Sequence, residues 1–311
     1  ARRAWRRFRA NRLAVASAWY LAVLLGIVVA WPLMLAVAGH CGPRAAEFAH
    51  YYNPDRLSDA QFAAPDWRHW FGTDGHGRDL FSRVLFGARI SLLVGAVGAS
   101  VSLVIGVLWG AIAGYAGSRV DAVMMRIVDI LYSLPSVIFV IVLLTTIGAM
   151  LKDLPVIRDS AGGSDFVRLL LLFVGLGAVS WLTMARIVRG QVLSLRTRPF
   201  VEASRALGAG PVRILFRHII PNTLGIVIVY LTLTVPGIIL YESFLSYLGL
   251  GIQPPMASWG SLMAEGVAQI NAIRIYWWLI LFPGGVLVST LLALNFIGDG
   301  LRDAWDVKRG S

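Results

Sequence analysis

The chain has one cysteine and two lysines in 311 residues, and charged side chains make up only 14% of it. Each shortage excludes a class of chemistry. A single thiol, Cys41, allows neither an intrachain disulfide nor a cysteine-based metal cluster, and it reads as a small apolar filler. A phosphate-binding P-loop needs a lysine followed by Ser or Thr, so that phosphate and magnesium are held together. Lys152 precedes Asp153 and Lys308 precedes Arg309, so any ATP-derived energy must come from another chain. The five histidines, His40, His50, His69, His76 and His218, include no pair at the i, i+4 spacing of a hydrolytic zinc site. His69 and His76 flank a glycine-rich turn and read as solvated loop residues. No Gly-x-Ser-x-Gly elbow presents a nucleophile, so nothing supports an intramembrane enzyme.

Apolar residues, by contrast, make up 57% of the chain. A globular domain is about one quarter charged, and the excess of apolar surface here calls for lipid. Charged residues cluster between apolar runs of roughly 20 residues or more, the length that spans hydrocarbon as a helix. The expected fold is therefore all-α and polytopic, with six spans at 13–38, 90–116, 124–149, 166–188, 219–242 and 275–298. A net charge of +11 would suggest nucleic acid if it covered a soluble face. Its placement between spans fits membrane topology instead, so no nucleic-acid partner is expected.

The basic residues also orient the spans. The tail at 1–12 carries six Arg and no acid, and the 189–218 loop carries Arg189, Arg196, Arg198, Arg205, Arg213 and Arg217 against the single Glu202. The 39–89 loop is balanced, with six Arg against six acids. The positive-inside rule then puts both termini in the cytoplasm and the 39–89 loop outside. Trp67, Trp70, Trp277 and Trp278 fall on the outer side, where amphipathic rings suit the interface. The arginines before the first span and Ala36-Val37-Ala38 also resemble a signal peptide and its cleavage site. The apolar stretch from Leu13 to Ala38 exceeds the roughly 7 to 15 residues of a signal core, and a retained anchor helix is the expectation.

Within the spans, Gly98, Ser102, Gly106, Gly110 and Gly114 recur at every fourth position, a small-residue stripe that admits close helix contact. Pro135 and Pro236 interrupt the third and fifth spans and predict kinks. Arg126, Asp129, Arg168, Arg186 and Glu242 lie near span ends, and none reads as a buried proton relay. Thr73, Asp74 and Asp79 are candidate caps for a short helix leading into the second span, and Arg78, Arg83 and Arg89 are expected to pair with those acids, a docking protein being the alternative partner. Gly249, Gly251, Pro254 and Pro255 predict a turn after the fifth span.

The 189–218 loop is patterned as more than a linker. After Pro199, the run Phe200-Val201-Glu202-Ala203-Ser204-Arg205-Ala206-Leu207-Gly208-Ala209 predicts a short helix, with Glu202 in the first turn and Gly208 and Gly210 closing it. Phe200, Ala203, Ala206 and Leu207 share one face, which suits insertion into a partner's groove. Packing against the chain's own spans is the competing reading.

Glu202-Ala203-Ser204, Gly208 and His218-Ile219-Ile220-Pro221 resemble the signature of ABC importer permeases, with Ser204, His218 and Ile220 departing from its pattern. Phe71-Gly72-Thr73-Asp74-Gly75-His76-Gly77-Arg78-Asp79, Val120 to Arg126, Ala185 to Gln191, Glu242 to Gly251 and Asn295 to Asp303 narrow the resemblance. They are similar to motifs of the C-type subunit in oligopeptide and dipeptide importers, from about Asn11 to Asp306.

The resemblance implies a type I importer permease of six transmembrane helices whose helix at 200–209 is a cytoplasmic coupling helix seated in an ATPase. It divides the chain into a basic tail 1–12, a first transmembrane helix 13–38, a periplasmic loop 39–89, a permease core 90–300 and a cytoplasmic tail 301–311. It implies a homologous B-type permease, two cytoplasmic ATPases that use ATP and Mg, a periplasmic peptide-binding protein and the bacterial inner membrane. This chain itself would hold no cofactor, metal or catalytic residue. Tyr132 and Tyr230, on the third and fifth spans, are candidates for the translocation path. Related permeases carry nickel chelates or haem, so the cargo stays open. An ion-driven carrier remains the rival class, although such carriers need internal repeats or ionisable residues at the midplane. A scaffold protein without a path is a third reading.

Overall fold

The computed structural model describes residues 2–152, 163–254, 256–270 and 274–305. Pro255, most of the 150–165 loop and the 306–311 end of the tail lie outside the described residues. The helices in chain order are α1 (Arg2–Ala10), α2 (Arg12–Ala38), α3 (Pro43–Tyr51), α4 (Leu80–Ala116), α5 (Ser118–Ser133) and α6 (Ser136–Lys152). They continue with α7 (Gly163–Leu195), α8 (Pro199–Ala206), α9 (Pro211–Ile214), a π-helical turn (Leu215–Ile219), α10 (Ile220–Tyr247), α11 (Trp259–Ala268) and α12 (Trp278–Trp305).

Five stretches are long and apolar enough to cross a membrane: Arg12–Ala38, Leu80–Ala116, Leu170–Leu195, Pro211–Tyr247 and Trp278–Trp305. A sixth arises when α5 and α6 count as one broken span. The all-α, six-span architecture expected from the sequence is thus observed, and the chain has the build of a multi-pass membrane protein.

The third span departs from expectation. The 124–149 run is not one kinked helix but two helices meeting at 86°. A residue before proline is pushed out of the helical region, and Leu134, before Pro135, has ψ 136°. Pro236, by contrast, is accommodated inside α10. The second span begins at Leu80, before the apolar run at 90, because the Asp79 carboxylate accepts the Ser82 amide at 2.9 Å and starts the helix outside that run. Between Tyr51 and Leu80 no separate helix forms, so the cap acts on α4 itself. Cys41 is exposed in the turn after α2, so it fills no core.

The chain divides into two compact units, and the boundaries fall inside α2, α4, α10 and α12. One unit comprises Ala1–Arg12, Ala96–Ile238 and Ile297–Ser311. In it the small-residue stripe brings α4 against α7. A Cβ on Gly110 would lie 2.3 Å from the Ala185 carbonyl oxygen, and one on Gly106 would lie 2.6 Å from the Met184 Cβ. At the other end of the stripe, Gly98 faces Ile238 of α10. The second unit comprises Leu13–Gly95 and Ile239–Phe296. Trp31 of α2 packs there in a ring cluster with Phe48, Tyr52, Trp70 and Phe81. The buried Trp259 donates its indole N–H to the Val84 carbonyl at 3.2 Å.

The π turn has a local cause. Pro221 lacks an N–H, and its ring would crowd the carbonyl of Arg217 four residues earlier. The backbone widens there, and the Ile220 amide reaches back five residues to Leu215.

Candidate functional site

The patterned loop folds into α8 as the sequence predicts. Pro199 occupies its first turn, where a missing N–H costs nothing. The amides of Val201 and Glu202 bond the Arg198 carbonyl at 2.9 and 3.3 Å. At the other end Gly208 takes φ +78°, its amide bonding Arg205 at 2.9 Å while the Ala209 amide bonds Ser204 at 3.0 Å. This pair of bonds is the Schellman closure. Nothing lies within 4 Å of a Cβ built on Gly208, so glycine is required for the turn and not for space.

Burial then separates the two faces of α8. Val201 is fully buried in a cluster with Val192, Ile214, Leu215 and Ile219. Ala209 packs partly against the same cluster. On the opposite side, Leu207 is 88% exposed and Phe200 39%, and Glu202, Ala203, Ala206 and Gly208 are exposed as well. The half-buried Ser204 donates its hydroxyl to the Phe200 carbonyl at 2.8 Å. Val201 anchors the helix to the chain's own spans, and Phe200, Ala203, Ala206 and Leu207 remain exposed on this chain. Arg205 reaches over the Tyr115 ring at 5.6 Å, and Arg196 donates to the Gly114 carbonyl at 3.1 Å, tying the loop to the end of α4.

Two resemblance motifs meet between α5 and α7. Arg189 donates Nε and Nη2 to the two oxygens of Asp121 at 2.5 and 2.6 Å, a bidentate pair. Arg186 donates Nη2 to Asp129 at 2.8 Å, and its guanidinium lies 4.1 Å from the centroid of the Tyr132 ring. Of the two tyrosines proposed for the path, Tyr132 is exposed, whereas Tyr230 is half-buried against the cluster that holds Val201. Among the described residues no ring contact joins the two.

In the second unit the Phe71 to Asp79 motif forms an ion-pair network. Buried Arg83 donates to Asp74 at 2.7 Å and to both oxygens of Glu265 at 2.6 and 3.0 Å. Arg78 also reaches Asp74, at 2.7 Å. Burial pushes the Asp74 carboxyl up, but Arg83, the Arg78 and His76 amides and the Arg78 guanidinium outweigh it and hold the group below its ordinary value. Asp79 goes the other way, because its burial is only partly offset by the Ser82 amide and by His69. His69 is not solvated, as the sequence suggested, but buried, with Nδ1 3.1 Å from Asp79 and Nε2 2.7 Å from the Tyr51 hydroxyl. Arg89 pairs with neither acid and donates to the Val28 carbonyl at 3.2 Å.

Two contributors escaped sequence reading. Glu265 lies 182 residues from Arg83, and nothing local marks it as the partner. Glu242 looked like a span-end charge but is fully buried, accepting from Ser246 at 2.7 Å and Ser91 at 3.1 Å. Ser246 one turn onward was the available signal.

Residues 106–309 match the family described as binding-protein-dependent transport system inner membrane component. Residues 1–65 match the N-terminal transmembrane domain of oligopeptide transport permease C. The chain is 46% identical over 305 residues to the oligopeptide transport system permease protein OppC of Escherichia coli K12, covering 97% of this chain and 89% of that protein. It is 44% identical to OppC of Haemophilus influenzae, covering 97% and 87%. It is 41% identical to the dipeptide transport system permease protein DppC of Bacillus subtilis, covering 98% and 85%. Among solved structures, an inward-facing form of the MetNI methionine ABC transporter shares the fold. Its TM-score is 0.54 at 22% identity, over 72% of this chain and 97% of that one. The exposed helix after α7, the six-span fold and these matches together establish that the chain belongs to the inner-membrane components of binding-protein-dependent transport systems, in the permease C group.

Proposed function

We propose that this chain is the C-type permease subunit of an ATP-driven importer that moves oligopeptides or dipeptides across the bacterial inner membrane, with both termini cytoplasmic. A homologous B-type permease completes the path, and an external peptide-binding protein delivers cargo. Two cytoplasmic ATPases use ATP and Mg to drive the cycle, since no P-loop lysine exists here.

The exposed face of α8 carries this reading. A short helix held by one buried valine, with Leu207 and Phe200 turned outward, suits insertion into a cleft of a partner. Leu207→Asp is expected to abolish ATP-dependent peptide uptake by the assembled importer, while changing the chain's own stability by no more than about 0.5 kcal/mol, as for other exposed sites. Val201→Ala should instead cost about 2 kcal/mol of stability by opening a cavity. Uptake that survives Leu207→Asp in proteoliposomes would remove the docking role. Mass spectrometry of ligands held by the copurified binding protein tests the cargo, and a nickel chelate or haem there would reassign it.

A further inference from the structure

The two ion pairs between α5 and α7 are built differently. Asp121 is largely buried and holds Arg189 through both oxygens, so that pair is closed on itself. Asp129 and Arg186 meet through one nitrogen and one oxygen, at 56% and 36% side-chain exposure. Among the described residues the second Asp129 oxygen and the remaining Arg186 nitrogens make no hydrogen bond, although Asp129 also attracts the neighbouring Arg189. Arg186 lies on Leu170–Leu195, apolar enough to span a membrane, and Asp129 on α5, which counts toward a span only together with α6; exposed charge there marks a protein contact or a watered path, because lipid does not solvate it.

We propose that Arg186 and Asp129, with Tyr132 beneath the guanidinium, form a contact point for the two charged ends of a free peptide, Arg186 receiving the carboxylate and Asp129 the ammonium. This rests on the peptide-import reading above. An importer for peptides of varied sequence can recognise only what all of them share, namely the backbone and two ends of opposite charge. A zwitterion can exchange partners with a salt bridge without leaving any charge unpaired, and so avoids the penalty of an isolated ion in a partly dry site. The Tyr132 ring, 4.1 Å from the guanidinium, holds Arg186 by its face and leaves the in-plane N–H edge free to turn toward a carboxylate. Tyr132 therefore acts as a positioning residue for Arg186.

The test uses the whole importer in proteoliposomes, with its binding protein saturated by radiolabelled trialanine in free, C-amidated or N-acetylated form. Relative to wild type, Arg186→Gln should lower the ratio of free to amidated uptake by about three- to tenfold, the effect of one charge-assisted hydrogen bond in a half-exposed site. Asp129→Asn should lower the ratio of free to acetylated uptake to a similar extent, and Arg186→Lys should restore most of the first ratio. Comparing each ratio with wild type cancels the binding protein's own preference. Equal losses for all three peptides would make the pair a strut or a contact with the partner permease and overturn the proposal, as would unchanged ratios. Wild-type importer that takes up none of the peptides would overturn the peptide-import reading itself, and this inference with it.

Discussion

Substituting Gly208 tests whether the docking helix is set by backbone geometry. Its φ of +78° lies in the left-handed region, and a Cβ there meets no atom within 4 Å. Alanine thus brings no clash and pays only the left-handed penalty of about 1–2 kcal/mol. Since about 1.4 kcal/mol is tenfold in an equilibrium, the closed turn should become roughly five- to thirtyfold less populated. Asn tolerates this conformation better and a β-branched residue worse, so the expected order of damage is Asn, then Ala, then Val. The turn fixes where Leu207 points, and affinity for the ATPases should fall in that order. Titrating ATPase subunits onto the detergent-solubilised permease pair measures this, with ATP-dependent uptake as a second reading. The reasoning is refuted if Asn is as harmful as Val, or if Ala binds as tightly as glycine.

Asp74→Asn should lower stability by about 3 kcal/mol at neutral pH, because buried Arg83 loses one of its two carboxylates. The folded Asp74 carboxyl is held below its ordinary value, so its contribution is present above the usual carboxylate pKa of about 3.9 and is lost as pH falls through the depressed one. Thermal unfolding of both proteins from pH 7 downward should show the gap closing below about pH 4, and a gap independent of pH contradicts this account. Gly110→Ala should cost about 3 kcal/mol, since its Cβ would press on the Ala185 carbonyl at 2.3 Å and backbone cannot yield without parting α4 from α7. Gly98→Ala meets only the Ile238 side chain, at 3.1 Å, and should cost less than about 1 kcal/mol; equal losses in denaturation would count against close packing along the stripe.

Features whose cause is local could be read from the sequence. Pro199, Glu202 and Gly208 mark the ends of α8 because capping and turn chemistry act within a few residues. The small-residue stripe marked a close contact but not which helix met it, since Gly110 faces Ala185, 75 positions later. Pro135 signalled a break, yet no local signal gave the 86° angle between α5 and α6. Val201 went unrecognised as the anchor because a short helix has apolar residues on both sides, and only burial separates the anchoring face from the presented one. Glu265 and His69 acquire their roles from partners brought together by folding, and no spacing rule encodes them.

The π turn at Leu215–Ile219 works as a phase adjuster. A π turn holds one residue more than an α turn, and one residue corresponds to about 100° of rotation. Ile214, Leu215 and Ile219 before or within it are buried, and so are Thr223 and Val227 beyond it, while Leu224 and Ile228 are exposed. Winding the same residues as an unbroken α-helix would turn the span by about 100° and carry Thr223 and Val227 into the places of Leu224 and Ile228. The extra residue therefore lets the loop that carries α8 and the span that follows keep separate facings along one continuous helix, so each can change its surface without turning the other.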